Sequence, residues 1–145
     1  MKGKEEESRR EGQGELKRAY LLTTYGHYEA AMQACDRARE FLGDDPLPGA
    51  LKGAILSASG RPKEAIRELN GVCRRHREAI LPALYLAEAC FLAGRMRRGW
   101  KVLREINPAA LKESPWAEFA AELEQGWEGL ERGPEILEVS LSEEG

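Results

Sequence analysis

Three glycines set the frame of this 145-residue chain: Gly26, Gly60 and Gly94 fall 34 residues apart. Glycine takes the left-handed backbone conformation of a tight turn at little steric cost, so a fixed spacing of glycines implies a fixed spacing of turns. Small residues recur at the same period. Seven positions before each glycine stand Ala19, Gly53 and Ala87, and five after it Ala31, Ala65 and Gly99. Small side chains on both sides of a turn let two helices approach closely. A period of this length is the signature of a repeat whose unit is one supersecondary element.

The apolar pattern fills in the units. The clearest is residues 81–106, where two helix-periodic segments flank Gly94. In the first unit, Leu16, Ala19, Tyr20 and Thr23 share a helical face, followed by a partner face of Ala31, Ala34, Cys35, Ala38 and Phe41. Gly43-Asp44-Asp45-Pro46 ends that unit by composition. In the second, Pro62 suits the first turn of a helix, where its missing N–H has no partner to lose. Ile66, Leu69 and Val72 form its inward stripe, with Gly71 marking a close helix crossing. Asn107-Pro108 closes the third.

These segments, the stretch LYLAEACFLAGRMRRGWKVL above all, resemble tetratricopeptide repeats, whose period is 34 and whose unit is helix, turn, helix. The expected fold is all-α: three such repeats over residues 14–107 (about 14–43, 46–77 and 80–107) in a short right-handed solenoid, plus a C-terminal capping helix. Ser114-Pro115 signals a helix start. Trp116, Phe119, Ala120, Leu123, Trp127 and Leu130 then form one heavy apolar stripe, giving an amphipathic helix over residues 114–131 that covers the open end of the array. It is alternatively a homodimerisation helix. Residues 1–13 read as a disordered charged arm, because they carry no apolar period. Residues 132–145 read as an acidic tail in which Leu137, Val139 and Leu141 alternate with polar residues, the pattern of a strand or an extended docking peptide; with no sheet to join it is expected to be disordered, the alternative being that it folds back into the groove or adds to a partner.

Composition excludes several classes. Hydrophobic residues make up 42% of the chain, and no apolar run approaches a membrane span. The N-terminal MKGKEEESRREGQGE has no apolar segment after its charges, so no secretory signal is expected and the localisation is read as cytoplasmic. Three cysteines without CxxC spacing give neither a disulfide framework nor a zinc site. His27 and His76 have no ligand partners at metal-site spacing, and no glycine-rich loop cradles a phosphate. The chain is therefore read as not an enzyme, with no catalytic residues, cofactor or metal.

Charge is distributed unevenly. Residues 61–104 hold 11 Lys and Arg against 4 Glu, whereas residues 113–145 hold 10 Glu against Arg132. Arg74, Arg75, Arg77, Arg95, Arg97 and Arg98 form a candidate basic patch for an acidic surface. Aromatics do not interleave with them as base stacking requires, so nucleic acid is not the expected partner.

The resemblance implies a concave groove lined by the first helix of each unit. Its lining in this chain is Leu16, Tyr20 and Thr23, then Ala50, Leu51, Ala54 and Ser57, then Leu84, Tyr85, Glu88 and Phe91. That is an apolar trough with small residues in the middle and aromatics at both ends, suited to an amphipathic helix or extended apolar peptide of a protein partner. In the co-chaperone branch of the family, Lys, Arg and Asn grip a peptide carboxylate at places filled here by Leu16, Tyr20, Leu51, Leu81 and Tyr85, so no such clamp is expected. More narrowly, EAAMQACDRAREFLG, GAILSASGRPKEAI and PALYLAEACFLAGRM look like the small cytosolic chaperones of bacterial type III secretion. That resemblance implies a non-enzymatic protein-binding module that covers an aggregation-prone segment before export. The alternatives are a general adaptor linking two proteins and, behind it, a nucleic-acid-associated accessory factor.

Overall fold

The computed structural model describes residues 2–129. They form eight helices and no strand: α1 (Lys2–Thr24), α2 (Tyr28–Leu42), α3 (Pro46–Ala58), α4 (Pro62–Arg75), α5 (Ile80–Leu92), α6 (Met96–Glu105), α7 (Pro108–Glu113) and α8 (Ala117–Gly126). Each helix packs on its neighbour in sequence from α1 to α6, and α3 also packs on α5 and touches α1. The odd-numbered helices α1, α3 and α5 thus share one side of the stack.

The three glycines build one turn three times. Gly26, Gly60 and Gly94 have φ of 79°, 82° and 80°. In the first turn Gly26 N–H donates to Thr23 C=O at 3.0 Å and His27 N–H to Leu22 C=O at 2.8 Å. Gly60 and Arg61 donate likewise to Ser57 and Leu56, and Gly94 and Arg95 to Phe91 and Cys90. This is the paired bonding of a glycine-terminated helix end, which satisfies carbonyls that would otherwise be orphaned. The periodic small residues do what their size allows: Ala19, Ala31, Ala65 and Ala87 have no exposed surface. A Cβ built on Gly53 would meet Leu69 Cδ2 at 2.6 Å, and one on Gly99 would meet Phe91 Cδ1 at 2.6 Å.

Gly71 is different. A Cβ there meets only the Arg75 guanidinium at 3.5 Å, so the close crossing expected at this position is absent. Glycine inside α4 therefore costs helix stability with no packing return. Gly71→Ala is expected to raise stability by about 1 kcal/mol, read as a higher urea midpoint at unchanged slope.

The N-terminal segment also departs from expectation: the residues read as a disordered arm are the first half of α1. Two causes operate where no apolar period is visible. Glu5 with Arg9 and Glu6 with Arg10 stand at the i,i+4 spacing that supports a helix, with the glutamates toward its positive end. Gly12 is buried, and its missing Cβ is the space that Leu42 fills, with Cδ2 at 2.7 Å from where a Cβ would lie.

The C-terminal boundary is corrected as well. Asn107-Pro108 follows the end of the third pair, as expected, and also opens a further short helix, α7, with Asn107 Oδ1 accepting from Ala109 N–H at 2.9 Å and Ala110 N–H at 3.1 Å. Ser114 ends that helix, its hydroxyl donating to Leu111 C=O at 2.7 Å. The amphipathic helix expected over residues 114–131 is α8, which starts at Ala117 and ends at Gly126. Its Ala120 and Leu123 are buried with Leu84, Phe91, Met96 and Leu103, and Trp116, Phe119 and Trp127 pack around them. A second core cluster joins α1 to α5 through Leu16, Met32, Ile55, Ile66, Leu69 and Cys90. The expected acidic tail, and Leu130 of the apolar stripe, lie outside the described residues.

Candidate partner-binding face

The residues expected to line the groove divide into two groups. Leu16, Ala50, Leu51, Ser57, Leu84 and Phe91 are buried, at 8% exposure or less, so they form core and not a binding surface. The cause is that α3 and α5 pack against neighbours on more than one side, so most of their apolar residues face inward. Tyr20 is 51% exposed, and Thr23, Ala54, Tyr85 and Glu88 are half-buried. Those five remain available.

Tyr20, Ala54 and Glu88 stand 34 residues apart and so occupy the same place on α1, α3 and α5. The two tyrosines expected at opposite ends of the trough come together instead, the Tyr20 hydroxyl standing close enough to act on the Tyr85 phenol. Burial, then the neighbouring Tyr20 and Glu88, push the Tyr85 phenol above its ordinary pKa. Phe119 of α8 packs on Tyr85 with ring centroids 5.6 Å apart at 58°. The face therefore has a fixed aromatic centre, braced by α8.

Glu88 lies beside that centre, and burial raises its carboxyl pKa above the ordinary 4.5. The folded state thus holds this proton to higher pH than the unfolded chain does. Its contribution to stability is present in full below the unfolded pKa and is lost as pH rises through the folded one. Glu88→Gln is accordingly expected to raise the melting temperature at neutral pH and to bring no gain at about pH 4. Equal shifts at both pH values would contradict this.

Sequence reasoning passed over three exposed apolar residues near the same helix ends: Leu21 at 62%, Tyr25 at 75% and Leu92 at 48% exposure. Leu21 carried a readable signal. Its equivalents one and two periods on, Ile55 and Ala89, are 1% and 0% exposed, whereas no described helix packs over Leu21. A hollow of about 740 Å³ between the first half of α1 and the α2–α3 junction was also hidden, since that half was read as disordered. Leu16, Phe41, Leu42 and Leu47 contribute its apolar lining, and Lys4, Glu5, Arg9 and Asp45 charged groups.

The basic patch is split. Arg74, Arg77 and Arg98 line one hollow with Asn70 and Cys73. Arg75 lines another with Arg39, Asp44 and His76, where His76 Nε2 stands 3.3 Å from Asp44 Oδ1. Arg95 and Arg97 are exposed at the start of α6.

The thiols behave as small apolar groups. Cys35 and Cys90 are fully buried and Cys73 partly so. Burial first, then Asp36, pushes Cys35 up to about 12, burial pushes Cys73 up to about 11, and burial raises Cys90. All three stay protonated at neutral pH. Among the described residues no group of three or more His, Cys, Asp or Glu is placed to hold a metal ion, and no helix is long and apolar enough to cross a membrane. In comparison with known proteins, the chain matches no family model, no curated protein and no solved structure.

Proposed function

We propose that this chain is a non-enzymatic protein-binding module of tetratricopeptide type, which takes an apolar helical or extended segment of a partner on the α1–α3–α5 face. The observation that carries the reading is the grouping of exposed and half-exposed apolar side chains on those helices: Tyr20 and Tyr25 on and just after α1, Ala54 on α3, Tyr85 and Leu92 on α5. Large apolar side chains left bare together mark contact surfaces, and the Tyr20–Tyr85 contact holds two aromatic anchors in place before a partner arrives. The biological role that fits is a small cytosolic chaperone, similar to those of type III secretion, which covers an aggregation-prone amphipathic segment until it is delivered.

The test is purification from the source cells with identification of bound polypeptides, repeated with Tyr20→Glu and Ala54→Arg. Tyr20 is the better probe than Tyr85, because a charge at Tyr85 would disturb its packing on Phe119. A single stoichiometric partner, insoluble when expressed alone and lost in both variants, supports the chaperone reading. A spread of independently stable partners indicates a general adaptor. A partner retained by both variants removes this face from the binding site.

A further inference from the structure

Ion pairs between helices are concentrated in the first two helix pairs. Arg37 meets Glu15 at 3.0 Å, Arg39 meets Glu68 at 2.6 Å, Lys52 meets Asp36 at 3.0 Å and Arg61 meets Glu29 at 2.9 Å. These four cations each meet a carboxylate on a neighbouring helix. The hollow between α4 and α6 is built otherwise. It measures about 470 Å³ and is lined by Asn70, Cys73, Arg74, Arg77 and Arg98. Among the described residues, none of these three guanidinium groups has a carboxylate within ion-pair distance.

Asn70 takes the place a carboxylate would hold. Its Oδ1 accepts from Arg98 Nη2 at 2.6 Å, and its backbone carbonyl accepts from Arg74 Nε at 3.4 Å. The amide fixes the Arg98 guanidinium across two helices without neutralising it. Three cations share one hollow, so an entering carboxylate is attracted by all of them and can accept charge-assisted hydrogen bonds.

The chain itself carries matching anions. Residues 130–145 hold Glu131, Glu135, Glu138, Glu143 and Glu144 against the single Arg132. The described chain ends beside α6: Trp127 stacks on Phe91 at 5.3 Å, and the Phe91 ring lies against Gly99, the residue after Arg98. These sixteen residues reach roughly 50 Å when extended, whereas all of α6 is about 15 Å long. Reach does not limit contact.

We propose that the acidic C-terminal segment of this chain docks through its glutamates into the Arg74–Arg77–Arg98 hollow of the same molecule, and so screens that hollow from acidic surfaces of other proteins. The contact is separate from the α1–α3–α5 face and stands whether or not that face binds a partner.

The full chain tests this with a nitroxide on Ser140→Cys and Cys73→Ala to remove the one partly exposed thiol, Cys35 and Cys90 being buried. Amide signals of Asn70, Arg74 and Arg98 should lose most of their intensity at about 0.1 M salt and regain it near 1 M, where the screening length falls from about 10 Å to about 3 Å. Arg74→Glu with Arg98→Glu should abolish the broadening, and adding Glu135→Lys and Glu138→Lys to that variant should restore it. If the arginine variant does not fold, Glu135→Lys with Glu138→Lys alone carries the test, since it leaves every residue of α1 to α8 unchanged, and it must lose the broadening too. Broadening that ignores salt and charge reversal overturns the proposal, as does none at all. Broadening seen only when an isotope-labelled chain is mixed with a separate spin-labelled one also overturns it, in favour of a second copy's tail.

Discussion

Phe91→Ala is expected to lower the unfolding free energy by about 3–5 kcal/mol. Phe91 is 1% exposed and is where three parts of the fold meet. Its ring meets Trp100 of α6 edge-on at 5.2 Å, stacks on Trp127 after α8 at 5.3 Å, and rests on Gly99 where any side chain would collide with it. Truncation removes the ring's burial and both aromatic contacts, and leaves a cavity between helices too rigid to close it. In a stack where each pair contacts only its neighbours the loss should be local. Amide exchange is expected to accelerate in α8 and α6 well before α1 and α2. Uniform acceleration, or a cost under about 1 kcal/mol, would show that α8 is not held by this ring.

Gly53→Val should cost about 2–3 kcal/mol from the opposite cause, overpacking. Gly53 lies in α3 directly against Leu69 of α4, which is fully buried and has no room to withdraw. A branched side chain there must push the two helices of the pair apart. The attribution is checked by a double-mutant cycle with Leu69→Ala, which empties the space the valine needs. The two changes together should cost less than their sum by about 1 kcal/mol or more, measured by urea unfolding. Strict additivity would mean that the cost of Gly53→Val comes from helix propensity and not from the contact.

What could be read from the sequence follows from where each position's chemistry is unambiguous. Gly26, Gly60 and Gly94 announce their turns because a positive φ selects glycine. The alanines between them announce close packing because little else fits. The groove was only half readable: α3 and α5 are apolar around most of their circumference, so periodicity does not say which residues face outward. Leu51 and Leu84 turned out to be core, while Ala54 and Tyr85 did not. Arg74 and Arg75 are neighbours in sequence but diverge by about 100° on a helix, which is why they line different hollows. The helix over residues 2–13 left no apolar trace, since its packing contact is made by the glycine Gly12.

The bare Leu21 describes the stack as a polymer with unlike ends. At its far end α8 shuts the last interface with aromatic bulk. At its near end the surface that α3 and α5 bury through Leu51, Ile55 and Ala89 is occupied by Lys17 and Leu21 and remains exposed. Lys17 sets a charge where α3 carries the buried Leu51, so Lys17→Leu is expected to make that surface adhesive, read as self-association with rising concentration, and a variant that stays monodisperse would contradict this.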